Sequence, residues 1–162
     1  MSADGHVEAI YLGAVEAGPL GEVPQAEAVA GKGLVGDRHY RENPPPDEES
    51  GRDLTLIETE ALEALAAEHG IELGPGESRR QVYTRGIRLN PLVGKRFMVG
   101  DVECVGIELC EPCNHLQSLT PSGTLRGLVH RGGLRADILS GGTIRPGDPV
   151  REVPDRAEAP AT

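Results

Sequence analysis

Cys110, Cys113 and His115 fall within six positions, in a run that reads Glu-Leu-Cys-Glu-Pro-Cys-Asn-His-Leu from residue 108 to 116. The third and last cysteine, Cys104, lies six residues upstream. Four kinds of chemistry suit this spacing. Cys110-Glu-Pro-Cys113 has the C-x-x-C spacing of a redox dithiol, but the βαβ pattern that usually carries such a pair is missing. Cys110, Cys113 and His115 offer three ligands to zinc, with Cys104 or His39 as a fourth. A second C-x-x-C pair is absent, which leaves a closed structural site short of ligands. A cysteine at a strand end is also an ordinary small core residue, and Cys104 alternates within an expected strand in that way. A cysteine at a helix start beside Arg and His has a lowered pKa and becomes a nucleophile or ligand. Cys113, just after Pro112, fits this last reading, while Glu111 opposes it because a nearby carboxylate holds the thiol neutral.

The charges around this cluster are segregated. Segment 53–78 carries seven acids and no Lys or Arg. Segment 79–96 carries Arg79, Arg80, Arg85, Arg88, Lys95 and Arg96, and segment 113–136 carries Arg126, Arg131 and Arg135, both without an acid. Nine of the sixteen basic residues therefore lie in two acid-free blocks on either side of segment 97–112. Fourteen of the sixteen are Arg, which coding bias explains; coding bias does not explain the segregation of sign. Arginine recognises phosphate and carboxylate through two parallel hydrogen bonds, so a local anion pocket in an otherwise acidic protein is one expectation. Asp37-Arg38-His39 forms a further compact polar cluster after a glycine-rich stretch, and by itself it reads as a solvated turn.

The elements that must position these residues are mostly strands. Alternation and strand formers mark residues 7–15, 27–30, 53–57, 81–84, 96–99, 102–109, 134–139 and a final strand near 143–151. Gly100-Asp101 makes a hairpin of 96–109, with Cys110 at its end. One helix is expected over roughly 58–69, with Leu62, Leu65, Ala66 and His69 on one face, a capping box from Thr55 to Glu58 and a stop at Gly70. His69 reads as a cation at the helix end. Pro112 suits the first turn of a short helix to about Leu119, and 124–130 reads as another helical turn. The strands do not alternate with helices, so the expected fold is mainly β: an antiparallel β-barrel with a few flanking helices. The expected organisation is one domain over 1–153, with 41–52 a mobile surface loop and 154–162 a disordered tail.

Composition excludes some partners. The net charge of −10 argues against nucleic acid, whose phosphates need a basic face. The scarcity of aromatic residues argues against base-stacking platforms. No basic region followed by an apolar run marks a signal peptide, and no apolar stretch is long enough to span a bilayer. Three cysteines are no disulfide framework, so the expectation is a cytoplasmic protein with reduced thiols and no membrane partner.

Several stretches, taken in order, resemble a known family. They are Gly33-Leu-Val-Gly-Asp-Arg-His39, Leu54-Thr-Leu-Ile-Glu58, Arg79-Arg80, Gly86-Ile-Arg-Leu-Asn90-Pro-Leu-Val-Gly94, Gly100, Glu111-Pro-Cys113, Gly133-Leu-Arg-Ala136 and Gly142-Thr-Ile-Arg-Pro-Gly-Asp148. Together they resemble a stand-alone MOSC domain, the module named for the C-terminal part of molybdenum-cofactor sulfurases. The resemblance implies a β-barrel and binding of the molybdenum cofactor (molybdopterin) or carriage of sulfur. Cys113 is then the persulfide carrier or the metal ligand, with Cys110 and His115 as modulating or co-ligating groups. The resemblance also implies that Arg79 and Arg80 hold the cofactor phosphate. Asp37, Arg38 and His39 lie in the first motif, and charge adds Arg38, Arg131 and Arg135 to the candidate set. Where the family commonly has Asn after the arginine pair, this chain has Gln81. No pyridoxal-phosphate domain lies within these residues, so the implied partners are a pyridoxal-phosphate cysteine desulfurase or a molybdoenzyme. The alternatives are a zinc-binding or structural β-barrel module, or a small lyase or reductase acting on organosulfur or N-hydroxylated compounds.

Overall fold

The structure is a computed structural model that describes residues 4–15, 18–74, 76–110, 128 and 130–154. Eleven strands, one α-helix and one 3-10 turn occur among the described residues. In chain order the strands are β1 (Gly5–Leu12), β2 (Gly21–Glu22), β3 (Ala26–Val29), β4 (Gly33–Leu34) and β5 (Leu54–Glu58). Helix α1 (Thr59–His69) follows, then β6 (Val82–Arg85), the 3-10 turn at Asn90–Leu92, β7 (Arg96–Val99) and β8 (Val102–Leu109). The series ends with β9 (Leu134–Ser140), β10 (Gly142–Ile144) and β11 (Pro149–Glu152).

Seven of the strands close into a barrel in the order β1-β11-β7-β8-β9-β5-β6, with β6 returning to β1. Closure leaves these strands no open edge. Six of the seven pairings are antiparallel and one, β5 with β6, is parallel. The fold is thus mainly β as expected, but it is not purely antiparallel. The reason is parity: each antiparallel step reverses strand direction, and an odd ring cannot return to its starting direction through reversals alone. A parallel pair needs a crossover rather than a tight turn, and α1 lies in that crossover. A separate three-stranded sheet, β10-β3-β4, stands beside the barrel.

The barrel interior is aliphatic around one ring. Phe97, the chain's single Phe, is wholly buried among Val7, Ile10, Leu56, Val82 and Leu134. Val7 and Ile10 share this interior although they are three residues apart. The β1–β6 register shifts between Val7 and Ala9, and such a bulge turns the following residues over. Ala9 and Tyr11 consequently face outward, with Ile57 and Tyr83, into a second cluster that includes Leu62 of α1. Leu65 packs with Ile71 and Leu128 in a third. So α1 buries Ala61 and Leu65 and leaves His69 exposed.

Three local expectations change. The N-cap of α1 is Glu58 and makes no side-chain cap bond, so the capping box is absent. Thr55 is a strand residue whose hydroxyl accepts from the Gln81 N–H at 3.0 Å. The single strand expected near 143–151 is two strands in different sheets. Its break is a turn at 145–148, in which the Asp148 carboxylate accepts the Arg145 N–H at 2.8 Å. The expected helical turns at 112–119 and 124–130 lie largely outside the described residues. Gly70 does end α1, in the left-handed conformation, with its N–H on the Ala66 carbonyl.

Residues 41–52 contain no strand or helix. Arg41 anchors their start, with its guanidinium 2.7 Å from Glu48, 2.8 Å from Asp53 and 2.8 Å from the Lys32 carbonyl.

Gly133 is required twice over. Its φ is 111°, and an added Cβ would collide with the Leu56 carbonyl oxygen. Gly133→Ala is expected to lower stability by roughly 2–5 kcal/mol, from overpacking and backbone strain together. Gly21→Ala, with nothing near its Cβ position, should stay within about 0.5 kcal/mol. Urea denaturation of the two variants checks the contrast.

Candidate functional site

Asp37 lies in a turn just after β4, where its N–H bonds the Leu34 carbonyl. Its carboxylate has no solvent exposure. One oxygen accepts the Gly13 N–H and an Arg38 guanidinium N–H, both at 3.1 Å. The other accepts the His39 N–H at 3.0 Å and the Gln81 side-chain amide at 2.8 Å. A buried carboxylate survives only with such compensation: a paired cation and donors for its lone pairs. Gln81 in turn accepts the Thr55 N–H at 2.9 Å. It is one of the larger wholly buried side chains and bridges the Asp37 turn to β5. In the sequence Gln81 stands out only by replacing the Asn of the resembled motif. That departure was the one available signal of its bridging role.

The arginine pair continues the network. Arg38 also donates to the Arg79 carbonyl at 3.4 Å. Arg79 has φ 67°, which turns the chain, and its guanidinium donates to the Gly18 carbonyl. Arg80 is nearly buried and acts as a brace between backbone carbonyls. It donates to Gly132 at 2.6 Å, to Cys110 at 2.9 Å and to Ser78 at 3.4 Å. The Cys110 N–H bonds the Gly133 carbonyl at 2.8 Å. One guanidinium therefore ties the end of β8 to the residues that lead into β9.

Asp37, Arg38, Arg79, Arg80 and Cys110 are thus linked contact by contact. His39 joins this network through its backbone N–H on Asp37, and the remaining candidates lie elsewhere. His39 is exposed. Arg131 pairs with Glu68 at 3.2 Å and Arg135 with Glu108 at 3.7 Å, both with partly exposed side chains. Cys113 and His115 lie outside the described residues. Among the described residues no three His, Cys, Asp or Glu side chains stand close enough to hold a metal ion.

The segregated charges meet across the fold. Acids of segment 53–78 face bases from the acid-free blocks: Glu63 pairs with Arg85 at 2.7 Å and Glu68 with Arg131. Glu8 also binds Arg85, at 2.8 Å, and this hydrogen bond holds its carboxyl below the ordinary range.

Cys104 sits wholly inside the barrel, as its alternation implied. Burial pushes its thiol up to about 12. Cys110 is also buried, at the edge of the Arg80 brace.

The family model for the MOSC domain matches residues 35–151. The chain belongs to the MOSC domain family. The match takes in both halves of the polar network, from Asp37 to Gly133. Solved structures share this fold at low identity. The YuaD protein from Bacillus subtilis superposes with a TM-score of 0.76 at 16% identity, covering 93% of this chain and 94% of that one. YiiM from Geobacillus stearothermophilus gives 0.68 at 15% identity, with 96% and 77% covered. YiiM from Escherichia coli gives 0.65 at 17%, with 94% and 70% covered. No curated protein matches the sequence. No helix among the described residues of this MOSC domain is long and apolar enough to cross a membrane.

Removing the Asp37 carboxylate strands the buried Arg38 charge and three other donors. Asp37→Ala is expected to cost about 3–5 kcal/mol in chemical denaturation, and Asp37→Asn, which keeps one acceptor, less. For Cys104 the sign follows from its raised pKa. The native state holds the neutral thiol, while the unfolded state ionises near 9. The contribution of Cys104 to stability is fully present below that pH and is lost as pH rises toward 12. At pH 8 iodoacetamide should leave Cys104 unmodified in the native protein and alkylate it after denaturation, as read by peptide mass spectrometry.

Proposed function

We propose that this MOSC protein carries sulfur for molybdenum-cofactor chemistry, with Cys113 as the working thiol. The observation that carries the reading is the Arg80 brace. It fixes the Cys110 carbonyl, and three residues of chain cannot place the Cα of Cys113 more than about 11 Å from that of Cys110. Arg80 serves here as a brace rather than as a phosphate ligand, with three of its N–H groups on backbone carbonyls.

In the transfer step the Cys113 thiolate attacks the outer sulfur of a persulfide on a donor protein. The S–S bond of the donor breaks, the donor leaves as a thiolate, and Cys113 becomes the persulfide. A pyridoxal-phosphate cysteine desulfurase is the donor class that makes such a persulfide, and a molybdoenzyme is the receiving class.

The cofactor can be tested against the network. The Nε of Arg38 is buried and has no hydrogen-bond acceptor among the described residues. A phosphate oxygen would supply one, so the network fits the phosphate at Arg38, with Arg79 joined to it through its backbone. When bound, the cofactor would supply the molybdenum–sulfur centre that receives the sulfur. The protein's own part is to hold the phosphate end and to fix the root of the Cys110–Cys113 segment.

The test is anaerobic incubation with a cysteine desulfurase and L-cysteine, followed by intact and peptide mass spectrometry. The expected result is one added sulfur atom on Cys113, reversed by a reductant. Loading should be lost in Cys113→Ser and kept in Cys110→Ser. Loading on Cys110 instead, or on no cysteine, would overturn the assignment.

A further inference from the structure

Outside this network, a pocket of about 240 Å³ opens at the start of α1. Three segments build it: the β5–α1 junction, the connection from β6 to the 3-10 turn, and residues 130–131. Its polar lining is Glu58, Glu60, Arg88, Asn90, His130 and Arg131. We propose that it binds a small zwitterion of the α-amino acid class.

The pocket is preformed by its own carboxylates. Glu58 accepts the Leu89 N–H at 2.9 Å, and one oxygen of Glu60 accepts the Gly86 N–H at 2.8 Å. These two bonds clamp the turn that carries Arg88 and Asn90 onto the first turn of α1. Asn90 closes the far side by donating to the His130 carbonyl at 2.9 Å. No lid or rearrangement is needed to form the cavity. Its size is below the range of about 300–1,000 Å³ that suits drug-sized ligands, so the occupant is small.

Two opposite groups are left over. The second oxygen of Glu60 is shielded from solvent and has no donor among the described residues. A carboxylate oxygen in that state is costly, and a ligand donor would satisfy it. Arg88, across the same pocket, makes no hydrogen bond or ion pair among the described residues, including none to Glu60. A single exposed guanidinium is ordinary. Here it shares a pocket with an orphaned carboxylate oxygen that it does not reach. A molecule with an ammonium at one end and a carboxylate at the other would serve both groups.

The proposal does not depend on the role of Cys113. L-alanine is the probe, titrated into the full chain and followed by backbone amide shifts of Gly86, Leu89 and His130. Saturable binding in the millimolar range is expected. Propionate lacks the ammonium, and glycine betaine keeps the charge but has no N–H. Each should bind roughly tenfold more weakly or worse, because each loses a charge-assisted hydrogen bond. Glu60→Gln and Arg88→Gln should each weaken L-alanine by roughly tenfold or more. Arg88 is exposed, so that variant tests the site even if Glu60→Gln does not fold. Cys113→Ser should bind L-alanine like the unaltered chain, so failure of sulfur loading and failure of this site are separable. No saturable binding, equal binding of the three probes, or unchanged binding in Arg88→Gln would overturn the proposal.

Discussion

The pairing of β1 with β11 closes the ring of seven strands, and most of the molecule follows from that closure. An odd ring demands a parallel neighbour pair, and the parallel pair β5–β6 demands a crossover. Helix α1 occupies that crossover and must cover the outside of the barrel. Its apolar side therefore meets Tyr11, Ile57 and Tyr83 rather than the barrel interior. The rings of Tyr11 and Tyr83 lie 4.7 Å apart in that layer and supply much of its bulk. The first turn of α1 is also one wall of the zwitterion pocket. Strand parity thus connects closure of the barrel to the place where a ligand can sit.

A second constraint is polar. Asp37, Arg38, Gln81, Arg79 and Arg80 hold segments that are distant in sequence. Asp37 and Gln81 are separated by 44 residues and Arg80 and Gly132 by 52. Each contact alone is a modest hydrogen bond, but a buried carboxylate and a nearly buried guanidinium make the arrangement intolerant of loss. Such a network specifies geometry: it sets where the loop after β4 meets the start of β6, and where β8 ends. In this protein, that end is the root of the Cys-Glu-Pro-Cys segment.

The arginine-rich blocks have a related explanation. Their lack of acids along the chain suggests an open anion surface, yet Arg85, Arg131 and Arg135 meet acids from other elements. Acidic α1 and the basic residues around β6 and β9 are complementary faces. Arg38 keeps a buried donor without an acceptor among the described residues although its charge is matched by Asp37, and Arg88 has no partner among the described residues.

The sequence by itself determined what is local. Alternation placed nearly every barrel strand, Gly70 marked the end of α1, and the position of Cys104 within β8 identified it as core. The ordered motifs were enough to reach the MOSC family. Tertiary structure decided what depends on distant partners. The Thr55 hydroxyl is drawn to Gln81, and no side-chain cap forms at the start of α1. A closed ring of seven strands requires a parallel pair, and the crossover through α1 places it at β5–β6. Residues 142–152 divide between two sheets because β3 takes one half and β1 and β7 take the other. Local preferences extend over a few residues, whereas closure and the burial of charge are satisfied only by the assembled chain. Arg80 illustrates the difference: in the sequence it is a candidate phosphate ligand, and in the fold it is the brace that ties Cys110 to the barrel.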